Sequence, residues 1–171
     1  DIRQIAHRHL QALRRESQEA VHLAMLRGDK VVYIDKLDTP SGLSLATYVG
    51  FATDPHAAAG GKVLLAGLND DAVKGIYKNK SLKGYGKNTI TRLPSLMAEL
   101  AKIRKQGYAV DNEEYYEGVR CVAAPVRSGG EVVASISVTG SIFTMTRERI
   151  EKELAATVVK AADSVSAELH W

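Results

Sequence analysis

The sequence predicts an α+β domain: an antiparallel sheet made of two hairpins, with helices before, between and after its strands. Three observations carry this. Ala20–Leu26 and Val31–Leu37 are apolar, branched runs joined across Gly28-Asp29, the signature of a β-hairpin. Cys121–Arg127 and Glu131–Thr139 form a second such pair across Ser128-Gly129-Gly130. Both ends of the chain carry one apolar stripe at helical spacing, so the two terminal helices can pack side by side.

The first helix runs to about Arg15, with Ile2, Ala6, Leu10 and Leu13 on its inner stripe. It opens at Asp1 with neither an initiator Met nor a cap motif, which reads as a segment cut from a longer chain. The first hairpin is apolar on both faces apart from His22, Asp35 and its ends, so a central, doubly covered position is expected. Thr39-Pro40-Ser41-Gly42 is a turn cluster, and Leu43–Val49 reads as a third strand. A Gly/Ala-rich stretch then leads into Val63–Ala66, a short buried helix. Asn69 or Asp70 caps a further helix over Asp71–Tyr77. Residues 79–90 are polar and glycine-bearing, hence a long exposed loop. Leu93–Gln106 is a helix with Pro94 in its first turn and Gly107 just past its end, and Leu96, Leu100 and Ile103 form its inner stripe. Tyr108–Val110 is a short strand. Thr146 caps the final helix, whose apolar face holds Ile150, Leu154, Val158, Ala161, Val165 and Leu169.

The 171 residues suit one domain, and 45% hydrophobic with 25% charged residues excludes a disordered or fibrous chain. The longest apolar runs, Val63–Leu68 and Val132–Val138, are too short for a membrane span. No basic-then-apolar leader opens the chain, and a lone Cys121 fits a reducing, cytoplasmic setting. A net charge of +3 is too mild to argue nucleic-acid binding. The densest lysine group, Lys74, Lys78, Lys80, Lys83 and Lys87, sits beside Asp70 and Asp71 and reads as a solvated face.

Candidate chemistry is sparse. Cys121 with His22 or His56 as base would be a nucleophile pair, but no local motif supports it, and a mid-strand cysteine is ordinarily a small hydrophobe. His22, His56, Asp111 and Cys121 are zinc-compatible types without ligand spacing. Gly60-Gly61-Lys62 lacks the rest of a phosphate loop. Ser135, Ser137 and Thr139 alternate, so all three project from one face of their strand. They either face solvent or line a cavity, where hydroxyls and the free amides of a helix opening at Ala58-Ala59-Gly60-Gly61 would hold a small anion. Residue patterns alone leave both readings open.

A resemblance adds to this. Tyr108-Ala109-Val110-Asp111-Asn112-Glu113-Glu114 followed by Glu117-Gly118-Val119-Arg120-Cys121-Val122-Ala123-Ala124-Pro125-Val126 is similar to the signature of the C-terminal effector-binding domain of the IclR family. Glu19–Leu23, Val32–Lys36, Gly60-Gly61-Lys62 with Leu64-Leu65-Ala66, Asn88–Thr91 and Ile136–Gly140 agree in order and spacing. The resemblance spans essentially all of residues 1–171. It implies a GAF-like fold, a curved antiparallel sheet flanked by helices, that binds a small organic or aromatic acid. It further implies a homodimer or homotetramer. DNA would be contacted only through an N-terminal winged helix-turn-helix that has no counterpart in this sequence.

By the same resemblance, the ligand amides fall on Ala59 and Gly60, the acidic residue on Asp111, the thiol on Cys121 and the strand hydroxyls on Ser137 and Thr139. Leu45, Thr53 and Val119 would form the apolar wall. Phe51-Ala52-Thr53-Asp54-Pro55 departs from the family pattern, which implies an altered pocket. Zinc in the pocket, through His22, His56, Asp111 and Cys121, is the minor cofactor alternative. A GAF-type sensor from a non-DNA-binding signalling protein and a Cys121-dependent enzyme are the alternative functions.

Overall fold

The computed structural model describes residues 1–41 and 47–169. Among these, six strands form one curled antiparallel sheet in the order β3-β2-β1-β6-β5-β4. The strands are β1 (Ala20–Arg27), β2 (Lys30–Leu37), β3 (Ala52–Thr53), β4 (Ala109–Asn112), β5 (Val119–Ser128) and β6 (Glu131–Ser141). Both expected hairpins are present, and β1 pairs with β6 to join them at the centre.

Helix α1 (Ile2–Ser17) corrects one expectation. It is capped after all, because the Asp1 carboxylate accepts the Arg3 amide at 3.0 Å. The final helix opens at α5 (Arg147–Arg149), where the Thr146 hydroxyl accepts the Arg149 amide. It passes through a π-helical turn at Ile150–Leu154 and continues as α6 (Ala155–Glu168). The π turn has no periodicity signal, and within α6 Ala162 is the fully buried residue while Ala161 is only partly covered. Ile2, Ala6, Leu10 and Leu13 of α1 and Val158, Ala162 and Val165 of α6 cover one sheet face. That face is built from alternating residues of three strands: Val21 and Leu23, then Val122, Ala124 and Val126, then Ile136 and Val138. The terminal helices also meet directly, Arg8 and His9 both pairing with Glu168.

The opposite face is covered by α2 (Ala59–Ala66) and α4 (Leu93–Gln106), with α3 (Asp70–Ile76) beyond them. Leu96, Leu100 and Ile103 are the buried stripe of α4, and Gly107 ends it at φ 89°. The Asn69 side chain caps α3 by accepting the Ala72 amide at 2.8 Å.

The third strand is displaced from its expected place. Residues 42–46 lie outside the described set. Thr47–Val49 is not strand, because the backbone turns there: the Phe51 amide donates to Tyr48 and the Gly50 amide to Tyr33. The two-residue β3 follows. The loop over residues 79–90 is mostly exposed, as expected, but it is pinned. Leu82 and Thr89 are buried. The Thr89 hydroxyl accepts the Tyr85 and Gly86 amides and donates to the Glu114 carbonyl.

Candidate functional site

The face of the sheet under α2 carries its residues in cross-strand rows. Asp111, Cys121 and Thr139 form one row, and Ala123, Ser137 and His22 the next. Small or polar side chains here leave a hollow between the sheet and the start of α2. The hollow is small, about 40 Å³, against roughly 10–15 Å³ needed to hold one water. It is the cavity in which Ala59, Gly60, Asp111, Val119, Cys121, Ser137 and Thr139 come together. Leu45 lies outside the described residues. Thr53, expected in the apolar wall, also lines the cavity, but as a buried polar residue.

Helix α2 opens directly onto this hollow. Its cap position, Ala58, has no side-chain oxygen to satisfy the first-turn amides. Ala58, Ala59 and Gly60 line the cavity, so the uncapped first-turn amides and the positive end of the helix dipole lie at its wall. Gly60 is needed for this approach, since a Cβ there would stand 2.7 Å from the Ser135 Oγ. The hydroxyl row thus divides: Ser135 sits beneath Gly60, and only Ser137 and Thr139 reach the cavity. All three are buried, which resolves the open question of their facing.

The remaining wall is aromatic and was not legible from the strand pattern. In β2 the register with β1 skips Ile34, so Asp35 pairs with Leu23 but Tyr33 pairs with Ala24. This bulge places Asp35 on the α1 side and Tyr33 on the cavity side, where strict alternation would put them on one face. Tyr33 stacks parallel to Phe51 at 5.9 Å and leans on His22 at 4.8 Å. Tyr115 and Tyr116 close the mouth, and Tyr85 stacks on Tyr115 at 4.4 Å.

The cavity's ionisable groups are held largely neutral. Burial, then the charge of Glu114, pushes the Asp111 carboxyl up to about 7, against the Glu114 amide that donates to it at 2.7 Å. Burial, then Lys36, drives His22 down to about 3, so its imidazole is uncharged. Burial and Asp111 push the Cys121 thiol well up. A protonated, strand-bound thiol is a poor nucleophile. His22 Nε2 is engaged with Thr47 Oγ1 at 2.8 Å, and His56 Nε2 donates to the Lys83 carbonyl. The Cys121 thiol pairs with Thr139, and among the described residues no hydrogen bond joins it to either histidine. Among the described residues no three His, Cys, Asp or Glu side chains converge as metal ligands. His22, His56, Asp111 and Cys121 form no such group.

Two buried polar atoms of the cavity wall, His22 Nδ1 and Thr53 Oγ1, have no partner among the described residues. An unpaired buried polar atom costs about 1–3 kcal/mol, so such groups ordinarily mark a place where something else binds.

Lys62 is the residue whose role sequence reasoning missed. Its side chain is 0% exposed, and its ammonium donates to Glu99 (2.8 Å), Glu114 (2.7 Å) and the Val110 carbonyl (2.7 Å). Burial pulls its pKa down, but the charges of Glu114 and Glu99 outweigh this and leave it raised. Gly60-Gly61-Lys62 is thus a packing device, not a phosphate loop.

The fold and cavity define a small-molecule-sensing class of domain, and comparison with known proteins gives the family. Residues 1–167 match the family described as bacterial transcriptional regulator IclR C-terminal. The chain belongs to this family. It is similar to the HTH-type transcriptional regulator KdgR of Escherichia coli K12, with 36% identity over 163 residues, 95% of this chain and 62% of KdgR. It is likewise similar in structure to Thermotoga maritima IclR, with TM-score 0.93 and 37% identity over all of this chain and 69% of that one. An IclR homologue from Microbacterium hydrocarbonoxydans, crystallised with 4-hydroxybenzoate, shares the fold at TM-score 0.87 and 23% identity, over 97% of this chain and 67% of that one. The chain thus spans about three fifths of the KdgR sequence. Among the described residues no helix is long and apolar enough to cross a membrane.

Proposed function

We propose that this chain binds a small organic or aromatic acid in the α2 cavity and is the effector-sensing part of a longer transcription regulator. The observation that carries this reading is the uncapped N-terminus of α2 lining one hollow with Ser137 and Thr139. Free amides, two hydroxyls and a helix dipole together favour a carboxylate. Ala59, Gly60, Ser137 and Thr139 bind the acid group, Asp111 and Cys121 close over it, and Val119 adds apolar contact. The 4-hydroxybenzoate held by the Microbacterium protein and the regulator names of the relatives support the same reading. DNA is contacted by a separate winged helix-turn-helix domain of the whole protein, a cytoplasmic homodimer or homotetramer.

A physical route leads from the cavity to α1. His22 pairs with Lys36 on β2, and the neighbouring Asp35 accepts His7 Nδ1–H at 2.6 Å and faces Arg3 at 3.8 Å. Effector and operator affinities are then linked reciprocally.

Calorimetric titration with a panel of small aliphatic and aromatic carboxylates tests this. Saturable binding by at least one acid is expected. Ser137→Ala with Thr139→Val should weaken it by at least tenfold, since each charge-assisted bond is worth about 1.5–3 kcal/mol. An unchanged affinity in the double variant overturns the site.

Asp111 adds a pH dependence. Its carboxyl is raised from 3.8 to about 7, so the folded protein holds a proton that the unfolded chain has released. Its contribution to stability is therefore full below about pH 4 and is lost as pH rises through about 7. Above that, its negative charge also repels a bound carboxylate. Acid affinity should fall as pH rises from about 6 to about 8, and Asp111→Asn should flatten the profile. A wild-type affinity that is flat over this range removes Asp111 from the site.

A further inference from the structure

The whole-chain charge of +3 hides a strong local imbalance. Residues 72–106 hold nine basic residues and one acidic residue, while the rest of the chain holds 14 basic and 19 acidic. The one acid, Glu99, is bound to the buried Lys62. The two acids just before this segment do not neutralise it either. Asp70 pairs with Arg104, and Asp71 sits in the first turn of α3, where it faces the positive end of the helix dipole. Among the described residues Lys74, Lys78, Lys83, Lys87, Lys102 and Lys105 are exposed and have no ion pair. The final helical stretch, residues 147–168, instead mixes four basic with five acidic residues.

These lysines belong to one layer. Val73, Tyr77, Leu82, Leu96, Leu100 and Ile103, from α3, the loop after it and α4, form a single buried cluster on the α2 side of the sheet. The outward residues of the same elements therefore clothe one side of the domain. The layer is also held in place: buried Leu82 and Thr89 pin the loop, and the Lys83 ammonium lies 5.0 Å over the Tyr85 ring. From this layer we infer a second binding surface, one that holds the phosphate backbone of double-stranded DNA without reading its sequence. It lies on the sheet face opposite α1, so it adds to the contact expected of a winged helix-turn-helix and does not replace it.

What the layer lacks decides the partner. The core of a protein interface is depleted in lysine and is built on buried aromatic or apolar anchors. Among the described residues the exposed large hydrophobics are Tyr48, Val49, Tyr116 and Phe143, and all lie outside residues 72–106. Without them the layer has no anchor for a protein, and nothing to bury in a lipid surface. It also has no exposed aromatic ring on which single-stranded bases would stack. Lysines on flexible stems suit a partner that offers dense charge and asks for no directional readout. Duplex DNA does so, with about one negative charge per 1.7 Å of its axis. It is also the polyanion that a transcription regulator meets.

The test is fluorescence anisotropy of the 171-residue chain with a labelled duplex of about 24 base pairs and arbitrary sequence, between about 20 and about 150 mM salt. The dissociation constant at the lowest salt should be below about 100 µM, and log K should fall against log salt with a slope of about −3 to −4, as for roughly four phosphates engaged. A duplex of unrelated sequence should bind equally. Lys74→Gln, Lys78→Gln, Lys83→Gln and Lys87→Gln together should weaken binding at least about tenfold. The same charge change made at Arg15, Arg147, Lys152 and Lys160, exposed residues outside the layer, should weaken it less than about threefold. Both variants should melt like the wild type. Protection from acetylation, read by mass spectrometry, needs no variant: the duplex should shield Lys74, Lys78, Lys83 and Lys87 but not Lys152 or Lys160. Absence of binding at the lowest salt overturns the inference, as does equal loss in the two quadruple variants or equal protection of all six lysines. Tighter binding of poly-glutamate than of the duplex overturns it too and makes the partner an acidic protein. None of these outcomes bears on the carboxylate site, which is tested separately.

Discussion

Lys62→Met should destabilise the domain by about 3–5 kcal/mol, the usual cost of removing one partner from a buried ion pair. The methionine keeps most of the stem volume, so the loss is electrostatic. Lys62 donates all three of its protons to acceptors on three different elements: Glu99 on α4, Val110 on β4 and Glu114 after β4. Glu99 is partly exposed and can turn to water, but Glu114 is buried and its charge is stranded. Glu114 also accepts the Asn112 amide, and its own amide donates to Asp111, so the stranded charge lies at the cavity wall. Denaturant unfolding followed by circular dichroism measures the effect. Lys62→Met with Glu114→Gln should recover part of it, with a coupling of about 1–3 kcal/mol. The deficit of Lys62→Met should also shrink as pH falls. A buried carboxylate without its cation takes a proton more readily when folded than when unfolded, so acid favours its folded form. A cost under about 1 kcal/mol for Lys62→Met would mean that the cluster is not what fixes α2 to the sheet.

The elements that were legible in the sequence are those whose signals are local. The Gly28-Asp29 and Gly129-Gly130 turns, the Pro94-to-Gly107 frame of α4 and the stripe of α1 each need only their own residues to be read. What the sequence could not show depends on register or on distant partners. Alternation puts Tyr33 and Asp35 on one face; a bulge at Ile34 separates them, and only the β1 partner reveals it. The bulge brings Tyr33 to the cavity, where Phe51 and the loop carrying Tyr115 and Tyr116 complete the aromatic wall. Lys62 reads only as the end of an incomplete phosphate loop until Glu99 and Glu114, 37 and 52 positions away, come into view.

The polar half of the cavity has a different origin. Periodicity put Ser135, Ser137 and Thr139 on one face but left that face unassigned. The residues alone offer the amides of Ala59 and Gly60 at a helix opening and Asp111 and Cys121 as ligand types; resemblance to the family joins them in one site. The cross-strand register gives the physical reason for their company, because Asp111, Cys121 and Thr139 are direct neighbours across three adjacent strands. Of the expected third strand only Thr47–Val49 is described, and that end is not strand, since the chain there spends its backbone hydrogen bonds on a turn and on Tyr33.

Gly61→Ala should be the most damaging single methyl addition in the chain, and it separates the two glycines of Gly60-Gly61. A Cβ at Gly61 would meet the Pro55 backbone at 2.4 Å (O), 2.5 Å (Cα) and 2.8 Å (C). No side chain can rotate out of the way, so the turn Pro55–Ala57 must leave its seat on α2. Overpacking of this kind costs about 3 kcal/mol at the upper end of its usual range. At Gly60 the obstacle is the Ser135 hydroxyl at 2.7 Å, the tip of a side chain that can change rotamer. Gly60→Ala should therefore cost about 1 kcal/mol, within the ordinary range for point changes. The functional effects should follow the geometry. Shifting the 55–57 turn moves Ala58 and so re-aims the Ala59 and Gly60 amides, which should abolish carboxylate binding even where the protein still folds. Thermal unfolding and titration of the two variants side by side check this. If Gly61→Ala proves as mild as Gly60→Ala in both measurements, the close seating of the turn on α2 is not what holds the amides toward the cavity.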